Sequence, residues 1–331
     1  MNVLLLQLDG SLPNLALMRL AGHHLALGDR VALRHAATPD AVQRRLGDSF
    51  DRVYASLIFE KTRPLAQRLL ACHPDAVVGG TGWDLTTTLE GRGIDSPPDY
   101  SIYPDYRHSI GFTQRGCRLK CQFCVVPRKE GAVRQEMTAH EVWRGEPYPR
   151  HLVLLDNDFF GQPDWRARAV EIREGGFKVN FNQGINARFL DDEAAESLSS
   201  LAYFDADFKR RRLYTAWDNR KDEERLFAGL GRLVRYGVKP SAIMVYVLIG
   251  YWAGESEADW LYRVQRLQEF GCDPYPMPYV RNQLTVGFQR WVCGHYSKKV
   301  SWADFRAANY SPRKLDRARD RAPLPLFDGP A

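Results

Sequence analysis

The chain has 331 residues, of which 44% are hydrophobic and 26% are charged, and its formal net charge is +6. This balance is typical of a soluble globular protein with about two domains. The sequence contains no run of eighteen apolar residues and no cleavable leader at Met1–Leu6, so we expect neither a membrane span nor secretion, but a cytoplasmic protein.

The first ninety residues alternate between apolar runs and helical segments. Val3–Leu8 and Val53–Phe59 are predicted strands. Thr38-Pro39 is typical of an N-cap followed by proline at the first helical position, and it predicts a helix that ends at Gly47. Strands that alternate with helices predict a parallel sheet. No G-x-G-x-x-G follows the first strand, so an NAD-type site is not supported.

Residues 91–108 are predicted to link this domain, residues 1–90, to a second one. They contain the stretch Ser96-Pro97-Pro98-Asp99-Tyr100, and two successive prolines cannot continue a helix or a central strand. The alternation of strands and helices begins again at Ser109 and gives six strand–helix units over residues 109–281. The pattern is lost after that point, so residues 282–331 are predicted to be a C-terminal extension.

Three cysteines, Cys117, Cys121 and Cys124, occupy C-x₃-C-x₂-C spacing in the loop after the first strand of the second domain. Thiolates are the usual ligands of iron–sulfur clusters, and an ordinary [4Fe–4S] cluster takes four of them. The next cysteine is Cys272, so three ligands would leave one iron with an open position, which is typical of a reactive metal site. The alternatives are a zinc knuckle, which would need a fourth Cys or His within short range, or three unrelated thiols.

This spacing, with Phe123 just before the last cysteine, resembles the signature of the radical S-adenosylmethionine (radical SAM) superfamily. The resemblance implies a [4Fe–4S] cluster whose open iron binds SAM, reductive cleavage of SAM, and abstraction of hydrogen from a substrate. It also implies an electron donor such as flavodoxin or ferredoxin. For residues 109–281 it implies a partial (β/α)₆ TIM-like barrel.

The order of the two domains resembles the cobalamin-binding subfamily of that superfamily. The fold class that this implies is α/β, with a Rossmann-like, cobalamin-binding-like domain over residues 1–90 followed by the partial barrel. The cobalamin-ligating motif of the subfamily, D-x-H-x-x-G, is absent from the sequence. Two alternatives stay open: cobalamin bound without a histidine ligand, or a domain that kept the fold and only shapes an entrance or a partner surface.

Active residues of such barrels follow the strands, and this rule combined with the resemblance selects a set of candidates for cofactor binding. The candidates are Phe123, Asp156, Asn157, Asp158, Asn180, Asn182, Arg188, Asp218, Gly250 and Tyr279. The residues after the second strand would accept hydrogen bonds from the SAM ammonium or cap a helix, and the two asparagines would bind ribose hydroxyls or form a turn. Arg188 would hold the SAM carboxylate or pair with Asp191 or Asp192. Asp218, after the fourth strand, is a polar candidate similar in kind to Arg188. Phe123 would pack near the adenine, Gly250 would let the adenine approach the backbone, and Tyr279 would pack on the adenine or belong to the core. No catalytic residue is assigned.

Two other functions stay open. One is an iron–sulfur module that senses redox state or binds nucleic acid through the basic segment Pro312–Arg321, without SAM turnover. The other is a tRNA-modifying enzyme of the methylthiotransferase kind, but that family carries three further cysteines in its N-terminal domain and here only Cys72 is present. No motif names the substrate, and methylation, methylthiolation and rearrangement are all open outcomes.

Overall fold

The computed structural model of the chain describes residues 1–39 and 50–309. The chain divides into two compact units, Met1–Arg107 and His108–Ala331, each with its own hydrophobic core. Both units combine helices with parallel sheets, which confirms the predicted mixed α/β class. Most of the helix predicted up to Gly47, and the basic segment Pro312–Arg321, lie outside the described residues. No helix in the described ranges is long and apolar enough to cross a membrane.

The first unit is built on a four-stranded parallel sheet. Its elements are β1 (Asn2–Gln7), α1 (Leu15–Ala26), β2 (Arg30–His35), β3 (Arg52–Ser56), α2 (Arg63–Cys72) and β4 (Val77–Gly79). The strand order is β2-β1-β3-β4, so the first strand lies in the interior of the sheet. The predicted parallel sheet is therefore confirmed for this part of the chain.

The apolar run in β1 follows from its central place in the sheet. Val3 and Leu5 pack in one cluster with Leu17 of α1, whereas Leu4 packs on the other face in a cluster with Leu69 of α2. These side chains are fully buried. A parallel strand covered on both faces is apolar at every position rather than at alternate positions, which explains why this strand was the clearest one in the sequence.

The segment predicted as a linker, residues 91–108, differs from the prediction because most of it packs onto the first unit. Ile94 is buried in the same cluster as Leu17, and the backbone N–H of Asp99 donates to the carbonyl of Met18 at 3.0 Å. The hydroxyl of Tyr103 donates to Oε1 of Gln7 at 2.6 Å. The prolines prevent regular structure, but the apolar and aromatic side chains between them still have a surface to bury against.

The second unit contains two parallel sheets and one antiparallel pair. The strands are β5 (Ser109–Gly111), β6 (Gln114–Arg115), β7 (Arg134–Gln135), β8 (His151–Leu154), β9 (Lys178–Phe181), β10 (Ala202–Tyr203), β11 (Leu213–Trp217), β12 (Ile243–Ile249) and β13 (Asp273–Pro278). The parallel sheets have the orders β10-β9-β8-β5 and β11-β12-β13, and β6 pairs with β7. All six strands predicted after Ser109 are present, and β6, β7 and β10 are additional strands of two residues each.

Eight helices lie within the described part of the second unit. They are α3 (Val126–Lys129), α4 (Ala139–Val142), α5 (Trp165–Glu174), α6 (Asp192–Ser200), α7 (Glu223–Arg235), α8 (Glu257–Phe270), α9 (Gln283–Cys293) and α10 (Trp302–Asn309). Along β11, buried and half-buried residues alternate: Leu213 and Trp217 are buried, and Tyr214 between them is half-buried. The two buried residues join a core cluster with Leu226 and Leu230 of α7. One face of this strand is therefore covered by helices.

Two helices, α9 and α10, lie where no regular pattern was predicted. The side chain of Asn282 caps α9, because its Oδ1 accepts from the backbone N–H groups of Leu284 and Thr285 at 3.0 and 2.9 Å. Trp291 of α9 and Trp302 of α10 are buried in the main core cluster of the unit. The aromatic residues of the predicted C-terminal extension therefore complete this core.

Candidate metal and cofactor site

The cysteine loop leaves β6 through a glycine that no other residue can replace without strain. Gly116 has a φ of +77°, and a Cβ added to it would overlap the carbonyl oxygen of Ala132. The close approach is set by the antiparallel pairing of β6 with β7, since Arg115 lies opposite Arg134. The three cysteines therefore follow a turn of fixed shape rather than an open loop.

We expect Gly116→Ala to destabilise the protein by clearly more than the control Gly131→Ala. Both glycines have positive φ, and the left-handed conformation alone costs an L-residue about 1–2 kcal/mol. Only the first variant adds an overlap with backbone atoms, because a Cβ at Gly131 meets nothing within 4 Å. Urea denaturation of the two variants measures the difference, and equal losses of stability would mean that the contact with Ala132 does not matter.

The backbone before this turn is held by Asp156, which follows β8. The Oδ1 atom of Asp156 accepts from the backbone N–H of Thr113 at 2.7 Å and from that of Gln114 at 3.2 Å, and its Oδ2 atom accepts from the Thr113 hydroxyl. Asp156 is 3% exposed. Burial raises the pKa of its carboxyl to about 7, although these hydrogen bonds oppose the rise. Both oxygens are thus engaged by the chain itself, and Asp156 positions the cysteine loop.

Asp158 connects the same strand end to the loop itself. Nε of Arg118 lies 2.9 Å from its Oδ2, which is ion-pair distance, although the N–H is not aligned for a hydrogen bond. Its backbone N–H donates to Oε1 of Gln114 at 3.3 Å, and Nε2 of Gln114 donates to the carbonyl of Gly116 at 2.6 Å. Burial raises the pKa of Asp158, and the charge of Arg118 opposes the rise. Asn157, between the two acids, is half-buried.

The three thiols of the loop are free and partly buried. Burial raises the pKa of Cys117 to about 11 and also raises the pKa values of Cys121 and Cys124. Asp218 contributes to the rise at Cys121, whereas the positive charge of the Arg188 guanidinium opposes it. The loop therefore lies against two residues that come from later strand ends and that the sequence had selected as cofactor candidates.

Arg188 forms an ion pair that the sequence did not predict. Its Nη1 atom lies 2.5 Å from Oδ2 of Asp222, and it does not pair with the neighbouring acids Asp191 and Asp192. Asp191 instead caps α6, accepting from Ala194 N–H at 2.8 Å, and Asp192 pairs with arginines of α7. The two acids next to Arg188 in sequence thus stabilise helices, and Arg188 pairs instead with Asp222, which lies 34 residues away in the sequence.

Asp218 follows β11 and presents its carboxylate to this same region. It is packed on nearly all sides, yet part of its surface remains exposed, and burial raises its pKa to about 6. Arg188 and Arg263 oppose that rise. Among the described residues, none donates a hydrogen bond to the carboxylate, while the backbone carbonyl of Asp218 accepts from Nε1 of Trp252 at 2.7 Å. Of the acids selected from the sequence, Asp218 is the one with oxygens left for a ligand.

The two asparagines at the end of β9, Asn180 within the strand and Asn182 just after it, are bonded to the chain and to each other. Asn180 is fully buried, and its Nδ2 donates to the carbonyl of Phe204 at 2.8 Å. Nδ2 of Asn182 donates to Oδ1 of Asn180 at 3.3 Å. Asn180 is therefore a structural residue that ties β9 to the segment after β10, and Asn182 is the partly exposed member of the pair.

Aromatic rings connect the cysteine loop to the end of β12. The ring of Phe123 lies 5.5 Å from that of Tyr251, edge to face, and Tyr251 lies 4.7 Å from Tyr279. Tyr251 follows Gly250, whose φ is +75°. The structure thus brings together three sequence candidates, Phe123, Gly250 and Tyr279, through a tyrosine that the sequence had not selected.

A buried ion pair behind this aromatic group was also missed. Glu255 Oε2 accepts from the backbone N–H of Gly250 at 2.9 Å, and its other oxygen pairs with Arg263 of α8. Arg263 also donates to the carbonyl of Trp217 at 3.0 Å and is 1% exposed. A signal was available, because Arg263 falls on the apolar stripe of α8 with Trp260 and two further buried residues. A charge at such a position requires a buried partner.

The three thiols do not form a preformed metal cage. Within residues 1–39 and 50–309, no three side chains of His, Cys, Asp or Glu are arranged so that they could hold a metal ion. Comparison of the chain with models of known protein families and with curated proteins finds no match. The chemical character of this site therefore rests on the residues themselves.

Proposed function

We propose that the chain is a radical SAM enzyme in which Cys117, Cys121 and Cys124 hold a [4Fe–4S] cluster and SAM occupies its open iron. The observation that carries the proposal is the contact of the cysteine loop with a later strand end: the ring of Phe123 lies 5.5 Å from that of Tyr251, which follows β12, and the charges of Arg188 and Asp218 also act on Cys121. The fold of a loop with three thiols in C-x₃-C-x₂-C spacing does not require an acid or an arginine beside the loop. Such neighbours suit a site for a charged ligand.

The three cysteine side chains are of the chemical type that binds an iron–sulfur cluster. The three thiols are unpaired and partly buried, and thiolates are the ligands that such clusters take. Because burial raises the thiol pKa values, the thiolate form requires a compensating positive charge, and Arg188 supplies one beside Cys121. When bound, the cluster supplies the electron for reductive cleavage of SAM.

The side chains around the loop have distinct tasks in this proposal. The free carboxylate of Asp218 accepts a hydrogen bond from the SAM ammonium, and Arg188 offers its remaining N–H groups to the SAM carboxylate. Phe123, Tyr251 and Tyr279 form an apolar wall that packs on the adenine and excludes water. In this proposal Asp156 and Asp158 hold the loop in place and do not bind the ammonium directly.

We also propose a specific fold for each of the two units. The six strands β5, β8, β9, β11, β12 and β13, separated by helices and parallel within their sheets, support a partial (β/α)₆ TIM-like barrel in the second unit. The order β2-β1-β3-β4 of the first unit supports a Rossmann-like domain. We also propose a cytoplasmic location, where the six free cysteines stay reduced and flavodoxin or ferredoxin can donate the electron.

Cobalamin does not fit the first unit. At the carboxyl end of β1, Asp9 accepts from the backbone N–H groups of Ile58 and Phe59 at 2.7 and 2.9 Å. Nε2 of Gln7 donates to three backbone carbonyls of the following loop, and Oε1 of Gln7 accepts from Tyr103. These polar groups bond one another, so they are not free for a ligand at the edge where a ligand of a parallel sheet would bind. We therefore propose that this unit is structural.

The test is anaerobic reconstitution with iron and sulfide, followed by SAM and dithionite and by mass spectrometry for 5′-deoxyadenosine. We expect Arg188→Ala to keep its iron and to form 5′-deoxyadenosine about 10–100-fold more slowly, the usual loss when a residue that supports a metal site is removed. Arg235→Ala is the control, because it removes an exposed ion pair with Asp192. Absence of product from the unmodified protein would overturn the enzyme proposal, and equal rates in both variants would remove Arg188 from the site.

A further inference from the structure

Three cations with shared surroundings lie at the amino-terminal ends of the strands, away from the cysteine loop. Arg150 lies 4.5 Å from the ring centre of Trp143, Lys178 lies 5.1 Å from that of Phe204, and Arg211 lies 3.7 Å from that of Tyr203. All three are exposed. We call Arg150, Lys178 and Arg211 the cation row.

The cation row crosses three neighbouring strands. Arg150 immediately precedes β8 and its carbonyl accepts from the backbone N–H of Lys178, the first residue of β9, at 2.8 Å. Lys178 in turn pairs with Ala202 at the start of β10, and Arg211 stacks on the next residue of that strand. With neighbouring strands about 4.8 Å apart, the row is roughly 10 Å long.

The charges of the row are not neutralised. Within the described residues, no carboxylate lies within ion-pair distance of Arg150, Lys178 or Arg211. The nearby Asp205 is engaged by Arg210 and by backbone N–H groups of its own loop. Several other stacked arginines of this unit have acid partners: Arg166, on Trp165, pairs with Glu193, and Arg220, on Tyr262, pairs with Asp259. The row is therefore a local excess of positive charge rather than part of a balanced surface.

This arrangement suits a chain of phosphates. A ring beneath a long cationic side chain restricts its motion, so less freedom is lost when the cation binds. A stacked guanidinium still presents N–H groups that match phosphate oxygens. Nη1 of Arg150 donates to the carbonyl of Gly175 at 2.7 Å, and its other nitrogens remain for a phosphate. Along one strand of a nucleic acid, charges recur about every 3.4 Å of helix axis, so a row of roughly 10 Å can meet about three of them.

We propose that the cation row binds the phosphate backbone of a nucleic acid. An acidic electron-donor protein is a poorer fit, because the cysteine loop follows the carboxyl ends of the strands and the row lies at their opposite ends. Phosphate contacts orient a nucleic acid without reading its sequence. The proposal is independent of SAM chemistry and holds whether or not the cysteines carry a cluster.

The test compares two triple variants of the full chain by fluorescence anisotropy with labelled single-stranded 20-nucleotide DNA and RNA. The row variant is R150Q/K178Q/R211Q. The control is R166Q/R220Q/R266Q, which removes the same charge from arginines that also stack on aromatic rings but have acid partners. Thermal melting establishes that both variants are folded.

We expect the unmodified protein to bind with a slope of log affinity against log salt of about −2, the value for roughly three phosphates on a single strand. The row variant should bind at least about tenfold more weakly with a much flatter slope, and the control should stay within about threefold of the unmodified protein. The DNA and RNA arms show which polymer is preferred. Equal losses of affinity in the two variants would overturn the proposal. It would also be overturned if the unmodified protein did not bind at about 50 mM salt, a low concentration at which phosphate contacts are strong. Competition by polyglutamate as strong as that by nucleic acid would overturn it in favour of an acidic polypeptide.

Discussion

Replacement of any one of Cys117, Cys121 and Cys124 by alanine is expected to abolish the proposed [4Fe–4S] cluster. The loop offers three thiols, and among the described residues no further His, Cys, Asp or Glu completes a metal-binding group with them. Two thiolates cannot retain a cluster that ordinarily takes four. The measurement is iron and sulfide content after anaerobic reconstitution, with about four of each expected in the unmodified protein, together with the visible absorbance of the cluster.

The matched controls are the cysteines outside the loop. Cys72 is exposed on α2 and Cys272 is buried beside β13, so their alanine variants separate loss of a thiol from loss of a ligand. Both are expected to bind iron like the unmodified protein. Loss of the cluster in the Cys272 variant would show that the ligand set has been assigned incorrectly, and full iron content in a loop variant would contradict the proposed site.

Arg263→Leu is expected to lower the free energy of unfolding by about 3–5 kcal/mol, the usual cost of removing one partner of a buried ion pair. Arg263 is 1% exposed, and its loss leaves Glu255 with a buried charge whose one remaining hydrogen-bond donor, among the described residues, is the N–H of Gly250. The carbonyl of Trp217 also loses a donor. Urea denaturation measures the effect.

Two further variants test whether the loss of stability comes from the unpaired carboxylate of Glu255. Arg266→Leu removes a half-exposed arginine of the same helix, whose contacts with Glu223 and Glu269 are 3.5 and 3.8 Å long, and it is expected to cost less than about 1 kcal/mol. Adding Glu255→Gln to Arg263→Leu removes the unpaired charge and should recover part of the lost stability. If the double variant is no more stable than Arg263→Leu alone, the unpaired carboxylate is not the source of the loss.

The regular elements were predictable from the sequence wherever local signals were strong. The apolar run of β1 is buried on both faces, and β12 is rich in β-branched residues, so both strands were evident. β10 has only two residues and could not produce a pattern. The first two turns of α9 contain Thr285, Val286 and Gly287, residues of low helix propensity, and the helix depends on the cap from Asn282 and on burial of Trp291.

The candidate site was predictable only in its outline. The cysteines and the polar residues after the strands are visible in the sequence, because thiol spacing and strand ends are local properties. The partner of each side chain is not local. Thr113 lies 43 residues from Asp156, and Arg188 lies 34 residues from Asp222. Only the tertiary fold therefore shows that Asp156 holds the chain whereas the carboxylate of Asp218 stays available for a ligand.

The dependence of the cysteine loop on Asp156 has a consequence during translation. Thr113 leaves the ribosome 43 residues before the carboxylate that fixes it, so the nascent chain carries three thiols on a segment that has not yet acquired its shape. In that interval the thiols are open to oxidation and to pairing with one another. We expect ribosome-bound chains truncated before Asp156 to react with a maleimide at Cys117, Cys121 and Cys124 faster than chains that extend past β9. Equal rates would mean that the loop is ordered by its own residues.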